Sequence, residues 1–223
     1  MENSKPNYKR IITPTLILLG FILMHKSIER NSFDMGFSWT ASKILPYALT
    51  FVAILILAIQ IGLVFRKLEK WKNHLLKTTI LLALSGFAFA LQPIYEGDFS
   101  HKKQMVDKSP SALALNKGLT MLALPNCPFC KERIPTINLL QNRNPNLNIQ
   151  ILLLNASEEA TQFYQNRLLE EIQVLATQHA NELAEIAFGR FPSFLFVDNE
   201  GQLYSWTNDG FGTLALNWVE NNH

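Results

Sequence analysis

A chain of 223 residues has room for one or two domains, and its net charge of +2 hides two unlike parts: residues 1–103 carry 13 Lys/Arg against 6 Asp/Glu, whereas residues 104–223 carry 7 against 12. The basic part is also the more apolar, and no basic stretch is interleaved with stacking aromatics, which points to a lipid bilayer as partner and excludes nucleic acid. Two cysteines three positions apart and five scattered histidines exclude a disulfide scaffold and a zinc site, so no metal and no cofactor is expected.

Three apolar runs follow one another in the N-terminal part. The first, 11–24, contains Pro14 and reaches the length of a membrane span only with its flanks, over about 8–28. The second, 44–65, holds no charge, and Gln60 is its one notable polar group. The third spans about 74–92 and is interrupted only by Lys77, whose stem can snorkel to the headgroups. These runs predict an all-α transmembrane domain of about three helices over 1–92. The basic lead-in Lys5, Lys9 and Arg10 gives the first run the look of a signal peptide. However, Leu23-Met24-His25-Lys26-Ser27 follows without a small-x-small cleavage pattern, so the helix is expected to stay on the chain.

The densest basic cluster, Arg66, Lys67, Lys70 and Lys72 with Lys77 beyond, falls between the second and third runs and is expected in the cytoplasm. The N-terminus is then cytoplasmic and everything after residue 92 extracytoplasmic, as for a protein of a bacterial inner membrane. Lys26, Arg30 and Lys43 in the first loop run against this trend. With no cysteine in the spans, the membrane helices cannot relay electrons through thiols of their own, and whether they are more than an anchor stays open.

Residues 93–117 are polar and read as a linker and lead-in segment. A buried strand is expected at 118–124, ended by Pro125 and Asn126, with the two cysteines directly after it. Ile134, Ile137, Leu139 and Leu140 mark a helix kinked by Pro135 and stopped by Asn144-Pro145-Asn146. A second strand is expected at 149–154, then two helices over 157–188, opened by Glu158 and Glu159 and ended by Gly189. Strands at 193–197 and 202–206 flank the turn Asp198-Asn199-Glu200-Gly201, and a helix over 214–219 closes the chain. Parallel pairing first and a hairpin last make residues 118–223 an α/β domain with a mixed sheet. Tyr204, Trp206, Phe211 and Trp218 are expected as packing residues.

Cys127-Pro128-Phe129-Cys130 stands at a strand-to-helix junction, and Pro192, 62 residues after Cys130, opens a strand behind Phe191. In these features the region from about 115 to 222 resembles the thioredoxin superfamily, and the long helical stretch is similar to the helical insertions of its secreted members. The resemblance implies a thioredoxin-like fold, a redox-active disulfide between Cys127 and Cys130, and a cis peptide before Pro192, with Phe191 and Pro192 helping to dock substrate backbone; Phe129 is expected to give an apolar lip for an unfolded substrate. In the membrane part, Leu19-Gly20-Phe21, His25-Lys26, Phe33 and Leu45-Pro46 are similar to DoxX- or MauE-type redox-associated membrane proteins, which usually have four spans rather than three.

The chemistry follows from the place of the sulfurs. At the N-terminus of a helix, unpaired amides and the macrodipole favour a thiolate, so Cys127 is the expected nucleophile and Cys130, one turn inward, the resolving thiol. Lys131 could add to the pull on Cys127 if its side chain turns back. No acid lies within 118–124 to take up a proton. The expected activity is thiol–disulfide oxidoreduction on exported thiol or disulfide proteins, served by a membrane or extracytoplasmic redox partner, with the direction of electron flow open. Two alternatives remain beside it: a maturation factor for one partner, and a non-catalytic or metal-chaperone module using the two sulfurs, with Met121 and His179 as conceivable further ligands. An inert disulfide is the bland alternative, although a bridge closing so short a loop is a poor staple.

Overall fold

The computed structural model describes residues 9–65, 68–92 and 97–223. The chain divides into two compact units, Met1–Tyr95 and Glu96–His223. Lys5, Tyr8, Arg66 and Lys67, on which part of the span and orientation reading rests, lie outside the described residues.

The first unit holds helices α1 (Lys9–Leu23), α2 (His25–Asp34), α3 (Trp39–Val64) and α4 (Lys70–Leu91). Among the described residues, α3 and α4 are long and apolar enough to cross a membrane, and a third span arises only if α1 and α2, bent by 66° at their junction, count as one. The bend has a plain cause. The 15 residues of α1 rise only about 22 Å against roughly 30 Å of hydrocarbon, and the sequence turns polar from His25 onward. Ser38 caps α3 by accepting a hydrogen bond from the Ala41 amide at 3.2 Å. Leu18 of α1 packs with Ala53, Ile54 and Leu57 of α3, and Leu81, Leu84 and Ala88 of α4 close over them. The Lys77 stem lies across Gly62 of α3, where any added Cβ would overlap it.

The second unit holds α5 (Phe99–Lys102), β1 (Gln104–Met105), a 3-10 turn at Pro110–Leu113, β2 (Gly118–Ala123), α6 (Pro128–Arg143), β3 (Ile149–Leu153), α7 (Glu158–Gln165), β4 (Gln173–Ala176), α8 (Ala180–Ile186), β5 (Ser193–Val197), β6 (Leu203–Thr207) and α9 (Thr213–Asn222). The six strands form one sheet in the order β1-β6-β5-β2-β3-β4. β2, β3 and β4 run parallel, β5 runs antiparallel to β2, and β5 and β6 form the hairpin. A central strand leading into the cysteine helix, with a proline-led antiparallel strand at its side, makes this a thioredoxin-like domain with a mixed sheet.

Two strands differ from the expectation. Residues 97–117 contribute α5 and β1, with Gln104 opposite Ser205 and Met105 opposite Tyr204. Over 157–188 the two expected helices are present, but β4 lies between them, parallel to β3. Neither strand has a legible alternation. β1 has two exposed residues, and in β4 only Val174 is buried. Both are edge strands whose pairing comes from the neighbour.

Apolar side chains fill both faces of the sheet. On one, Leu122, Leu152 and Leu195 pack against Leu183 and Ile186 of α8. On the other, Phe194 stacks on Phe211 at 3.8 Å, and Trp218 of α9 meets Phe196 and Trp206 edge-on. Arg143 at the end of α6 pairs with Glu220 of α9 at 2.9 Å, and Asn144 donates to the same carboxylate oxygen at 2.8 Å. Both charged side chains are largely shielded, with 19 % and 14 % exposure, so removing one partner leaves the other poorly solvated. Glu220→Gln is therefore expected to cost about 2 kcal/mol, read as a lowered urea midpoint.

Candidate active site at the N-terminus of α6

β2 is buried along its whole length and delivers the chain to Cys127, which is the N-cap of α6. Pro128 occupies the first helical position, where its missing N–H costs no hydrogen bond. Cys127 and Cys130 are joined as a disulfide. Cys127 is 9 % exposed and Cys130 is fully buried. The Cys130 amide donates to the Cys127 sulfur at 3.1 Å, so the helix end already contacts the atom that becomes anionic on reduction.

The other expected residues surround this sulfur in different ways. The Phe191–Pro192 peptide is cis, and the Phe191 carbonyl oxygen lies 3.7 Å from the Cys127 sulfur. The Phe191 side chain packs, partly buried, against the apolar cluster beneath α8, so Phe191 offers the site its backbone rather than its ring. Phe129 is 57 % exposed and forms an apolar lip. The Lys131 ammonium does not hydrogen-bond to the sulfur. It sits 4.5 Å over the ring of Phe163, which the Arg167 guanidinium also covers at 3.8 Å. The pull on the sulfur thus comes from the helix end and its amide.

Met121 is buried in β2, and His179 lies beside Glu182 at 3.5 Å at the start of α8. Among the described residues no cluster of three or more His, Cys, Asp or Glu side chains could hold a metal ion.

Tyr164 supports the loop from the side of α7. Its hydroxyl donates to the Leu124 carbonyl at 3.4 Å, and the Cys127 amide donates to that same oxygen at 3.3 Å. The turn between β2 and the disulfide is therefore tied at one atom from two directions. No sequence signal marks Tyr164, which falls within a stretch that reads only as helical periodicity. Burial pushes its phenol up to about 12, against about 10 in the unfolded chain. The folded domain therefore holds this proton more tightly, and its contribution is complete below pH 10 and is lost as pH rises from 10 toward 12. Two pH units correspond to about 2.7 kcal/mol at most. Melting temperatures compared between pH 9 and 11.5 are expected to fall more steeply for the wild type than for Tyr164→Phe.

Comparison with known proteins is sparse. No family model matches the chain, and no curated protein matches it. Among solved structures, a secreted Mycobacterium tuberculosis disulfide oxidoreductase, described as homologous to Escherichia coli DsbE, is similar at 17 % identity over 46 % of this chain and 78 % of its own, with a TM-score of 0.39. DsbF of Mycobacterium tuberculosis, seen in mixed oxidised and reduced forms, aligns at 16 % identity over 54 % of this chain and 92 % of its own, with a TM-score of 0.39. A thioredoxin-like protein from Bacteroides caccae aligns at 12 % identity over 92 % of this chain and 78 % of its own, with a TM-score of 0.37. The fold assignment rests on the strand order and on the position of the disulfide, not on these scores.

Proposed function

We propose that this protein is a membrane-anchored thiol–disulfide oxidoreductase whose redox domain acts outside the cytoplasm on exported protein thiols or disulfides. The observation that carries the reading is the asymmetry of the pair. Cys127 is the less buried cysteine and its sulfur receives a helix-terminal amide, while Cys130 is fully buried one turn inward. In the oxidising direction a substrate thiolate attacks the Cys127 sulfur, the Cys127–Cys130 bond breaks, and Cys130 leaves as a thiolate that takes up a proton. A second substrate thiolate then attacks the substrate sulfur of the mixed disulfide and releases the Cys127 thiolate. The substrate is left oxidised by two electrons and the protein reduced by two. Reduction of a substrate disulfide is the same sequence reversed.

The anchor is supported by α3 and α4, and the orientation by Lys70 and Lys72 at the start of α4 together with Lys9 and Arg10 at the start of α1. The kinship of the membrane helices to DoxX- or MauE-type proteins remains part of this proposal. The full chain in lipid nanodiscs should exchange disulfides with a dithiol peptide. A periplasmic-type reporter fused after residue 223 should be active, and activity of a cytoplasmic reporter there instead would reverse the orientation.

A further inference from the structure

On the α8 side of the sheet lies a cavity of about 290 Å³ bounded by Lys102, Gln104, Phe188, Arg190, Ser205 and Thr207. The sheet register puts it at the redox end of the domain. Thr207 of β6 is opposite Ser193, the residue after Pro192, and Gln104 of β1 is opposite Ser205. Arg190 directly precedes Phe191, whose carbonyl faces the Cys127 sulfur at 3.7 Å. Its own carbonyl accepts from the Ser193 hydroxyl at 2.7 Å, which holds the loop against β5.

Charge distinguishes this cavity. Lys102 is matched by Asp209 at 3.1 Å, and Asp209 also accepts from the Thr207 hydroxyl, so that carboxylate is already engaged. The backbone of Arg190 is hydrogen-bonded at both its amide and its carbonyl, but its exposed guanidinium has no hydrogen-bond or ion-pair partner among the described residues. The cavity therefore has an unmatched guanidinium, polar groups along one wall, and the ring of Phe188 on another. That ring is unusually placed. Phe188 has φ +50 and is followed by Gly189 at φ +65, so a bulky residue occupies the left-handed position at which a helix usually carries glycine, with its side chain 67 % exposed.

We propose that this cavity selects the substrate by binding an acidic side chain on the extended segment that carries the reacting cysteine, its carboxylate on Arg190 and its methylenes on Phe188. The proposal rests on the redox reading above and adds a substrate class, acidic protein segments, to it. A guanidinium is suited to this because its planar donors match a carboxylate in two-point geometry. From the sulfur, one residue back along the loop and out along the arginine side chain is on the order of 10 Å, or about three residues of extended chain. The acidic residue is therefore expected about three positions from the cysteine.

The test uses the full chain in nanodiscs and peptides with one redox-active cysteine pair, carrying Glu, Gln or Lys three positions before the first cysteine or three after the second. The Glu peptide of one set should react with a kcat/KM about tenfold above its Gln counterpart and further above Lys, with the ratio shrinking as salt is raised. Arg190→Gln should collapse the Glu-to-Lys ratio and Arg190→Glu should invert it, whereas Lys117→Gln, the same loss of charge at a site whose ammonium holds the Asn199 carbonyl at 3.1 Å, should leave it as in the wild type. Equal rates for Glu, Gln and Lys peptides in both sets would overturn the proposal while leaving the redox reading standing. Peptides with serine in place of cysteine separate the other case. If no peptide is oxidised or reduced, yet the Glu serine peptide binds more tightly and Arg190→Glu reverses that preference, the redox reading fails and the pocket stands.

Discussion

Cys127→Ser should lower disulfide exchange by the full chain at least about 10³-fold, equivalent to roughly 4 kcal/mol of barrier. A hydroxyl at this position stays protonated and cannot carry a disulfide, and the remaining thiol, Cys130, is fully buried. Cys130→Ser should behave differently. Cys127 remains beside the Cys130-position amide, which belongs to the backbone and is kept in the variant. It should still attack a substrate disulfide, but without an internal thiol to resolve the product the mixed disulfide should accumulate. Non-reducing gel electrophoresis and mass spectrometry would show the trapped adduct. Equal activity of both serine variants and the wild type would remove the assignment of these sulfurs as the redox pair.

Gly118→Val should strongly destabilise the redox domain. Gly118 opens β2 with φ +112, and a Cβ there would collide with the Asn148 carbonyl oxygen. That same oxygen accepts the first hydrogen bond between the β2 and β3 ends, from the Leu119 amide at 2.9 Å. A valine must therefore strain the backbone and also push away the atom that starts the parallel pairing. Left-handed strain of about 1–2 kcal/mol and overpacking of about 1–3 kcal/mol add to about 2–5 kcal/mol, centred on about 3 kcal/mol. With a urea dependence of about 1–3 kcal/mol per molar, a loss of about 3 kcal/mol should lower the unfolding midpoint by about 1–3 M, followed by near-ultraviolet circular dichroism of the Trp206 and Trp218 cluster. An unchanged midpoint would mean that this end of the sheet is free to open.

How much of this was legible beforehand differs from element to element. The strands at 118–123, 149–153 and 193–197 are continuous apolar runs because each is buried along its length, and such runs are visible without a structure. The cysteine helix was equally visible from its apolar positions Ile134, Ile137, Leu139 and Leu140 and from the Asn144-Pro145-Asn146 stop. The edge strands β1 and β4 were not, since an edge residue satisfies its backbone through a neighbour and carries no periodicity of its own. The first span illustrates a related limit. Length and hydropathy identified a stretch too short to cross alone, but that the chain turns by 66° between α1 and α2 is seen only in the structure.

The candidate site divides along the same line. By themselves, the residues identify two sulfurs at a helix start and a proline that opens a strand, because N-capping and strand entry are local preferences acting over a few positions. Only the tertiary structure decides which groups come to those sulfurs from elsewhere in the chain: the Phe191 carbonyl, the Tyr164 hydroxyl that shares Leu124 with Cys127, and the Phe163 ring that engages Lys131. Lys131 is the clearest instance. Its spacing from Cys127 allowed a charge beside the sulfur, and a ring contributed by α7, more than thirty residues later, took that charge instead, since a long flexible side chain goes to whichever partner the packed fold brings within reach.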